Sequence, residues 1–277
     1  MKREEVTQLV DRGIRELNEA LASGKSDRLR QYLDVMARFP RYSFNNCVLV
    51  ALQFPQATLV QGFHAWKKLG RSVKKGEKGI GIIAPMIGKK KDEDAKADDR
   101  DGKSIFGFKV VHVFDVSQTE GDELPEFAQV TGDPGESIPA VEALIRSWGI
   151  ELKYEEIPSG ADGVSKKGEI VIDPELAPPS RLLTLVHEAS HERLHADIER
   201  RKETTKTIRE TEAEAVAHVV CRALGLDTIE HCADYIQLYN GDAEVLTKSL
   251  DYIQKTAAEI LDGIREYSLA DTNEVAA

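Results

Sequence analysis

From Val6 to about Arg38 the apolar residues Leu9, Val10, Ile14, Leu17 and Leu21, then Leu29, Leu33 and Met36, recur at steps of three and four. That spacing predicts a pair of helices interrupted at Ser23-Gly24. Residues 46–52 are apolar and run up to Gln53-Phe-Pro, and Gly62 to Gly70 reads as one short helix stopped by a glycine. Ile80–Ala84 and Phe106–Phe114 alternate as two paired strands, and the charged insert from Lys89 to Lys103 reads as a loop between them. Residues 117–135 lose all periodicity and are rich in Gly, Pro, Glu, Asp and Thr, which predicts a linker with its boundary near Pro125 to Pro134. Beyond it come a helix from Ala140 to Trp148, strands at Ile150–Ile157 and Glu169–Asp173, and four helices starting near Pro178, Ile208, Ile229 and Ala243.

The elements read as α+β in two domains: residues 1–125, a linker at 126–135, and a mostly helical domain over 136–277 with a small sheet edge above a helix pair. With 277 residues, 41% of them hydrophobic, the chain can bury two modest cores. Net charge sharpens the division. The whole chain carries −11, yet residues 1–90 hold 17 Lys and Arg against 8 Asp and Glu, and the remainder hold 20 against 40. Cys47, Cys221 and Cys232 are odd in number and widely spaced, which excludes a disulfide framework and fits a cytoplasmic protein. No stretch reaches the ~18 apolar residues of a membrane span, so no membrane partner is expected.

His187-Glu188-Ala-Ser-His191 is an HExxH motif on an apolar helical segment that opens with Pro178-Pro179. On a helix the two imidazoles stack on one face and reach a single Zn2+, while Glu188, about 100° round, reaches the water which that ion would hold. Zinc brings such a water's pKa to roughly 7, so Glu188 is the expected general base. A catalytic zinc needs a third protein ligand. Thr207-Ile-Arg-Glu210 reads as a capping box, which gives Glu210 a structural role, whereas Glu214 sits among Ala and Val and needs a partner there. Glu214 is therefore the expected third ligand, with Glu210 in reserve. His195 continues the histidine face at i+8 as a supporting residue, and His218 lies on the Glu214 stripe.

In the basic half, Lys67, Lys68, Arg71, Lys74, Lys75 and Lys78 are interleaved with Tyr42, Phe44, Asn45, Phe63, His64 and Trp66. Cations along a phosphate backbone, with rings on which bases stack, suit single-stranded DNA. The glycines of Lys74-Lys-Gly-Glu-Lys-Gly79 lack the GxxxxGK[ST] spacing of a phosphate-binding loop.

Tyr42-Ser-Phe-Asn-Asn, Gly62–Arg71, Val73–Gly79 and Val113–Gly121, together with Thr184–His195 and Glu210–Ala217, resemble the ArdC-type antirestriction proteins of mobile elements such as plasmids. The C-terminal part is also similar to the zincin-like metallopeptidases of the ImmA/IrrE group. The resemblance implies an N-terminal single-stranded-DNA-binding domain, a C-terminal zincin-like metallopeptidase domain, and protection of incoming DNA from restriction. It implies His187, His191 and Glu214 as metal ligands and Glu188 as base. Tyr235, in a segment that looks like the family's next helix, would bond a tetrahedral intermediate. Two other enzymes fit the same residues, a regulatory protease acting on a DNA-bound repressor and a protease for DNA–protein crosslinks, and in each the protein substrate is unknown.

Overall fold

The computed structural model describes residues 2–89, 103–124, 134–226 and 243–275. Two compact units emerge, residues 1–13 with 45–125, and residues 14–44 with 126–277. The expected linker at 126–135 lies almost wholly outside the described residues, as do the charged insert, Cys232, Tyr235 and the helix expected near Ile229.

The predicted helical pair is present as α1 (Arg3–Ala22) and α2 (Asp27–Arg38). Gly24 supplies the left-handed residue (φ 76°) of the turn between them. The apolar run that follows is a helix, α3 (Phe44–Gln53), and the short glycine-stopped helix is α4 (Phe63–Lys68).

In the first unit, β1 (Val60–Gly62), β3 (Ile80–Lys89) and β4 (Lys103–Asp115) form an antiparallel sheet in the order β1-β4-β3. A two-stranded ribbon, β2 (Arg71–Val73) with β5 (Thr119–Gly121), lies outside the predicted elements. The β3–β4 register shifts between Met86 and Ile87, so Met86 faces Gly107, Ile87 faces Ile105, and Phe106 is the extra residue of a bulge.

The Val113–Gly121 motif is a folding device. Asp115 is 1% exposed, and its carboxylate accepts the amides of Thr58 (2.7 Å), Leu59 (3.1 Å) and Ser117 (3.0 Å) and the Ser117 hydroxyl (2.7 Å). Burial alone would raise its pKa, but these bonds overcome that and hold it below the ordinary aspartate range. Asp115→Ala should therefore cost about 2–4 kcal/mol in urea unfolding. A depressed folded pKa stabilises above the unfolded value and is lost as pH falls through the folded one. The gap between wild type and variant should accordingly be full at neutral pH and close below about pH 4.

In the second unit, β6 (Glu151–Tyr154), β8 (Glu169–Ile172) and β7 (Gly163–Ser165) form a sheet in the order β6-β8-β7, parallel then antiparallel. On it pack α5 (Pro134–Ser147) and α6 (Pro178–His195); α8 (Lys206–Ala223) packs on α6, the long α9 (Ala243–Val275) packs on α5 and α8, and the short α7 (Ile198–Glu203) follows α6. Their core includes Val141 and Ile145 of α5, Leu182, Leu185, Val186 and Ala189 of α6, Ala213, Val216 and Val220 of α8, and Ile253, Ala257 and Ile260 of α9. A side chain at Gly263 would come within 2.5 Å of Leu144, so this glycine sets how closely α9 approaches α5. Cys47 and Cys221 are buried thiols, and burial pushes the pKa of Cys221 up to about 12.

Candidate metal centre

α6 starts where the two prolines predict, at Pro178, where a missing N–H costs nothing because the first helical amides have no partner. One turn apart on it, His187 and His191 bring their Nε2 atoms to 3.1 Å. The third member comes from α8. Glu210 Oε2 lies 3.3 Å from His191 Nε2 and 3.7 Å from His187 Nε2. Ligand atoms about 2.1 Å from one tetrahedral ion are roughly 3.4 Å apart, so this triangle fits a single divalent ion.

The chemistry of the donors points the same way. Two imidazole nitrogens at 3.1 Å repel through their lone pairs unless a proton or a cation lies between them. The adjacent imidazoles, His187 first, draw the Glu210 pKa down to about 2 against the effect of burial. Burial and the neighbouring His187 push His191 down to about 4, which leaves its ring neutral and able to ligate. Burial works to lower His187 as well, but the surrounding carboxylates of Glu210, Glu188 and Glu214 reverse this and raise it.

The expected capping box is where sequence and structure part. The cap of α8 is Thr205, whose hydroxyl accepts the Ile208 amide at 3.1 Å, so Glu210 is not the third residue of the helix. It is free to face α6. Glu214, one turn further, lies outside the His187–His191–Glu210 group and lines an adjoining cavity, where burial raises its pKa. His218 and Arg222 of the same stripe approach the Asp34 carboxylate of α2, at 3.5 and 3.3 Å.

Glu188 is 7% exposed, and its pKa is raised, chiefly by burial. The amide of Ser165 on β7 bonds its carboxylate. Gly163 makes this approach possible, because a Cβ there would meet Thr184 Cγ2 at 2.5 Å and Glu188 Cγ at 3.0 Å.

Behind His191 runs a buried chain of polar groups. His195 Nε2 donates to Glu212 Oε2 (2.8 Å), which leaves His195 Nδ1 to accept from His191 Nδ1–H (3.2 Å). Arg200 bonds the other Glu212 oxygen and stacks over the Tyr252 ring at 4.3 Å. This arrangement fixes the tautomer that turns the His191 Nε2 lone pair toward Glu210 and His187. Glu212, fully buried, was not singled out in the sequence; the signal was its position two residues after Glu210, on the opposite side of α8.

Comparison with known proteins covers both halves. Residues 2–114 match the family described as the N-terminal domain of anti-restriction factor ArdC, and residues 147–221 match the IrrE N-terminal-like domain, a metallopeptidase-type family. The fold is similar to crystal structures of the antirestriction ArdC protein from the R388 plasmid. The metal-free form gives a TM-score of 0.54 at 19% identity, covering 93% of this chain and 98% of that one. The Mn(II)-bound form gives 0.53 at 20%, covering 92% and 98%. The chain joins an ArdC-type N-terminal domain to an IrrE-like domain in an ArdC-like two-domain fold. A Bacillus anthracis protein, the uncharacterized pXO2-81, is 25% identical over 95% of the chain, which spans 51% of that relative's length.

Within the ArdC-type N-terminal domain, the residues expected to meet DNA separate into two groups. Trp66 is fully buried and donates from Nε1 to the Phe114 carbonyl (2.9 Å), and Phe44 is 2% exposed. Neither ring can stack on a base. Arg71 spends its guanidinium on Thr119 and on the carbonyls of Gly121 and Asp122, which closes the β2–β5 ribbon. Lys74 donates to the Ser117 carbonyl at 2.8 Å, and Tyr42, half-buried, stacks on Phe39.

Exposed are Asn45, His64, Lys67, Lys68, Lys75, Lys78 and Phe63, the last 42% accessible with the Lys67 ammonium 5.2 Å from its ring centre. Phe63 meets Phe114 edge-on. Phe114, His112 and Phe108 alternate along one face of β4, with Gly79 beneath the first two. Phe108 (49% exposed) and the bulge residue Phe106 (61%) lay outside the sequence reading because the basic residues cluster elsewhere.

Proposed function

We propose that the C-terminal domain is a metal-dependent peptidase and the N-terminal domain a single-stranded-DNA-binding module, together serving an antirestriction role for a mobile element in the cytoplasm. The observation that carries the peptidase reading is the His187–His191–Glu210 triangle with Glu188 one residue along on the same helix. Two imidazoles and a carboxylate suit Zn2+, and Mn2+ accepts the same donors. An ion held there supplies Lewis-acid polarisation of a scissile carbonyl and makes water more acidic. Glu188, buried and with a raised pKa, takes the proton of the attacking water and returns it to the leaving amine. The Ser165 amide fixes its carboxylate for this, and the His195–Glu212–Arg200 chain holds His191 in register.

The DNA reading is supported by the exposed rings Phe63, Phe106 and Phe108 on or beside one sheet, by the Lys67 ammonium over the Phe63 ring, and by the exposed Lys68, Lys75 and Lys78 of the same domain. Among the described residues no helix is long and apolar enough to cross a membrane. Fluorescence anisotropy with labelled oligonucleotides over a salt series tests this half. Single strands should bind more tightly than duplex, affinity should fall steeply with salt, and Lys75→Ala with Lys78→Ala should flatten that slope. Equal binding of both DNA forms, or a slope unchanged in the double variant, would remove the DNA reading. Release of peptide fragments by the metal-loaded protein, abolished by a chelator, tests the other half.

A further inference from the structure

Two cavities flank the histidines, and their walls carry opposite charge. His187, Glu188, Glu210 and Gly163 line both. The first, about 520 Å³, adds the carboxylates of Asp162 and Glu214 and, among the described residues, has no Lys or Arg in its lining. The second, about 470 Å³, adds Lys167, Arg201, Lys206 and Arg209. Among the described residues Lys167, Arg201 and Lys206 face no carboxylate partner within salt-bridge distance, and Arg209 uses part of its guanidinium on the Thr204 carbonyl at 2.7 Å. Glu192, the extra acid on this side, is already engaged by the Ser165 hydroxyl (2.5 Å) and the Gly168 amide (2.9 Å).

The strand β7 joins the two cavities and is an edge strand. The Asp162 carbonyl accepts from Asp173 and the Lys166 amide donates to Glu169, so the even-numbered residues of this segment face β8. Gly163 and Ser165 turn their backbone groups the other way. The Ser165 amide is taken by Glu188, which leaves the Gly163 amide and carbonyl and the Ser165 carbonyl along the open edge. An extended peptide can add there by main-chain hydrogen bonds. β7 runs from Asp162, at the acidic cavity, toward Lys167, at the basic one. A peptide added antiparallel therefore enters with its N-terminal part at the basic wall and leaves with its C-terminal part at the acidic wall.

Resting on the peptidase reading, we infer that this cleft selects an extended peptide with an Asp or Glu on the N-terminal side of the bond at the metal centre and a Lys or Arg on the C-terminal side. Glu214, a half-buried carboxylate on the acidic wall, becomes a specificity residue for the incoming cation. Lys206 and Arg201 select the acidic end.

The test uses three labelled decapeptides of equal length, acidic-then-basic, basic-then-acidic, and neutral. Binding is measured by anisotropy on the full-length metal-free protein, and cleavage by mass spectrometry on the zinc-loaded one. The first two peptides share composition and net charge, so binding to the basic N-terminal half cannot separate them. The acidic-then-basic peptide should bind about tenfold more tightly than its reverse. Glu214→Gln with Asp162→Asn, or Lys206→Glu with Arg201→Glu, should erase that difference. Equal binding of the two charged orders, or a preference that survives both double variants, overturns the inference. Cleavage without charge preference also overturns it and leaves the peptidase reading standing. Selective binding without any cleavage upholds the inference and removes the peptidase reading.

Discussion

Glu188→Gln keeps the metal and loses peptide hydrolysis by about 10²–10⁴-fold, the range for removing a positioned general base. The amide is nearly isosteric and still accepts the Ser165 N–H through its oxygen, so β7 and α6 keep their contact across Gly163. What disappears is the basic oxygen pair. Metal content and thermal stability measured on the same preparation separate this from unfolding. Because burial raises the Glu188 pKa, the base is uncharged at low pH, and kcat/KM should rise as pH climbs through that raised value. The variant should lack this acidic limb, and hydrolysis at the wild-type rate would remove Glu188 from the chemistry.

Trp66→Ala should cost about 3–5 kcal/mol of stability, the loss expected for a large buried ring. Trp66 is fully buried, and its indole N–H satisfies the Phe114 carbonyl on β4. Truncation leaves a cavity beside that strand and an unpaired carbonyl. Phe63→Ala makes the opposite case. Its ring is 42% exposed, so stability should barely move, while single-strand affinity should fall by about 1–3 kcal/mol for one lost stacking partner. Chemical denaturation alongside anisotropy distinguishes them, and a Trp66→Ala protein as stable as wild type would contradict the buried assignment.

The two aromatics show what the sequence could and could not say. Both lie four residues or fewer from Lys67, and interleaving with cations reads alike for a core ring and a surface ring. Burial depends on which side of α4 faces β4, a tertiary fact. The histidines were legible because i,i+4 spacing needs only a helix to bring them together. The choice between Glu210 and Glu214 turned on one cap. Thr205 and Thr207 are both capping residues by type, and two residues of shift decide whether Glu210 is spent at the helix start or faces α6. β7 is three residues, Gly-Val-Ser, too short to show alternation, yet it forms the cleft wall and holds Glu188. The helices α1 and α2 were visible in the sequence, while the grouping of residues 14–44 with residues 126–277 rests on contacts such as Asp34 with His218 and Arg222 that no periodicity encodes.

The ligand set is tested most directly by metal content. Full-length wild type, Glu210→Gln and Glu214→Gln are loaded with zinc, dialysed, and analysed by inductively coupled plasma mass spectrometry. Wild type and Glu214→Gln should each retain about one equivalent, and Glu210→Gln should lose it, because among the described residues it is Glu210 that completes the triangle with His187 and His191. Retention by Glu210→Gln with loss in Glu214→Gln would contradict the assignment and make the next turn of α8 the source of the third ligand.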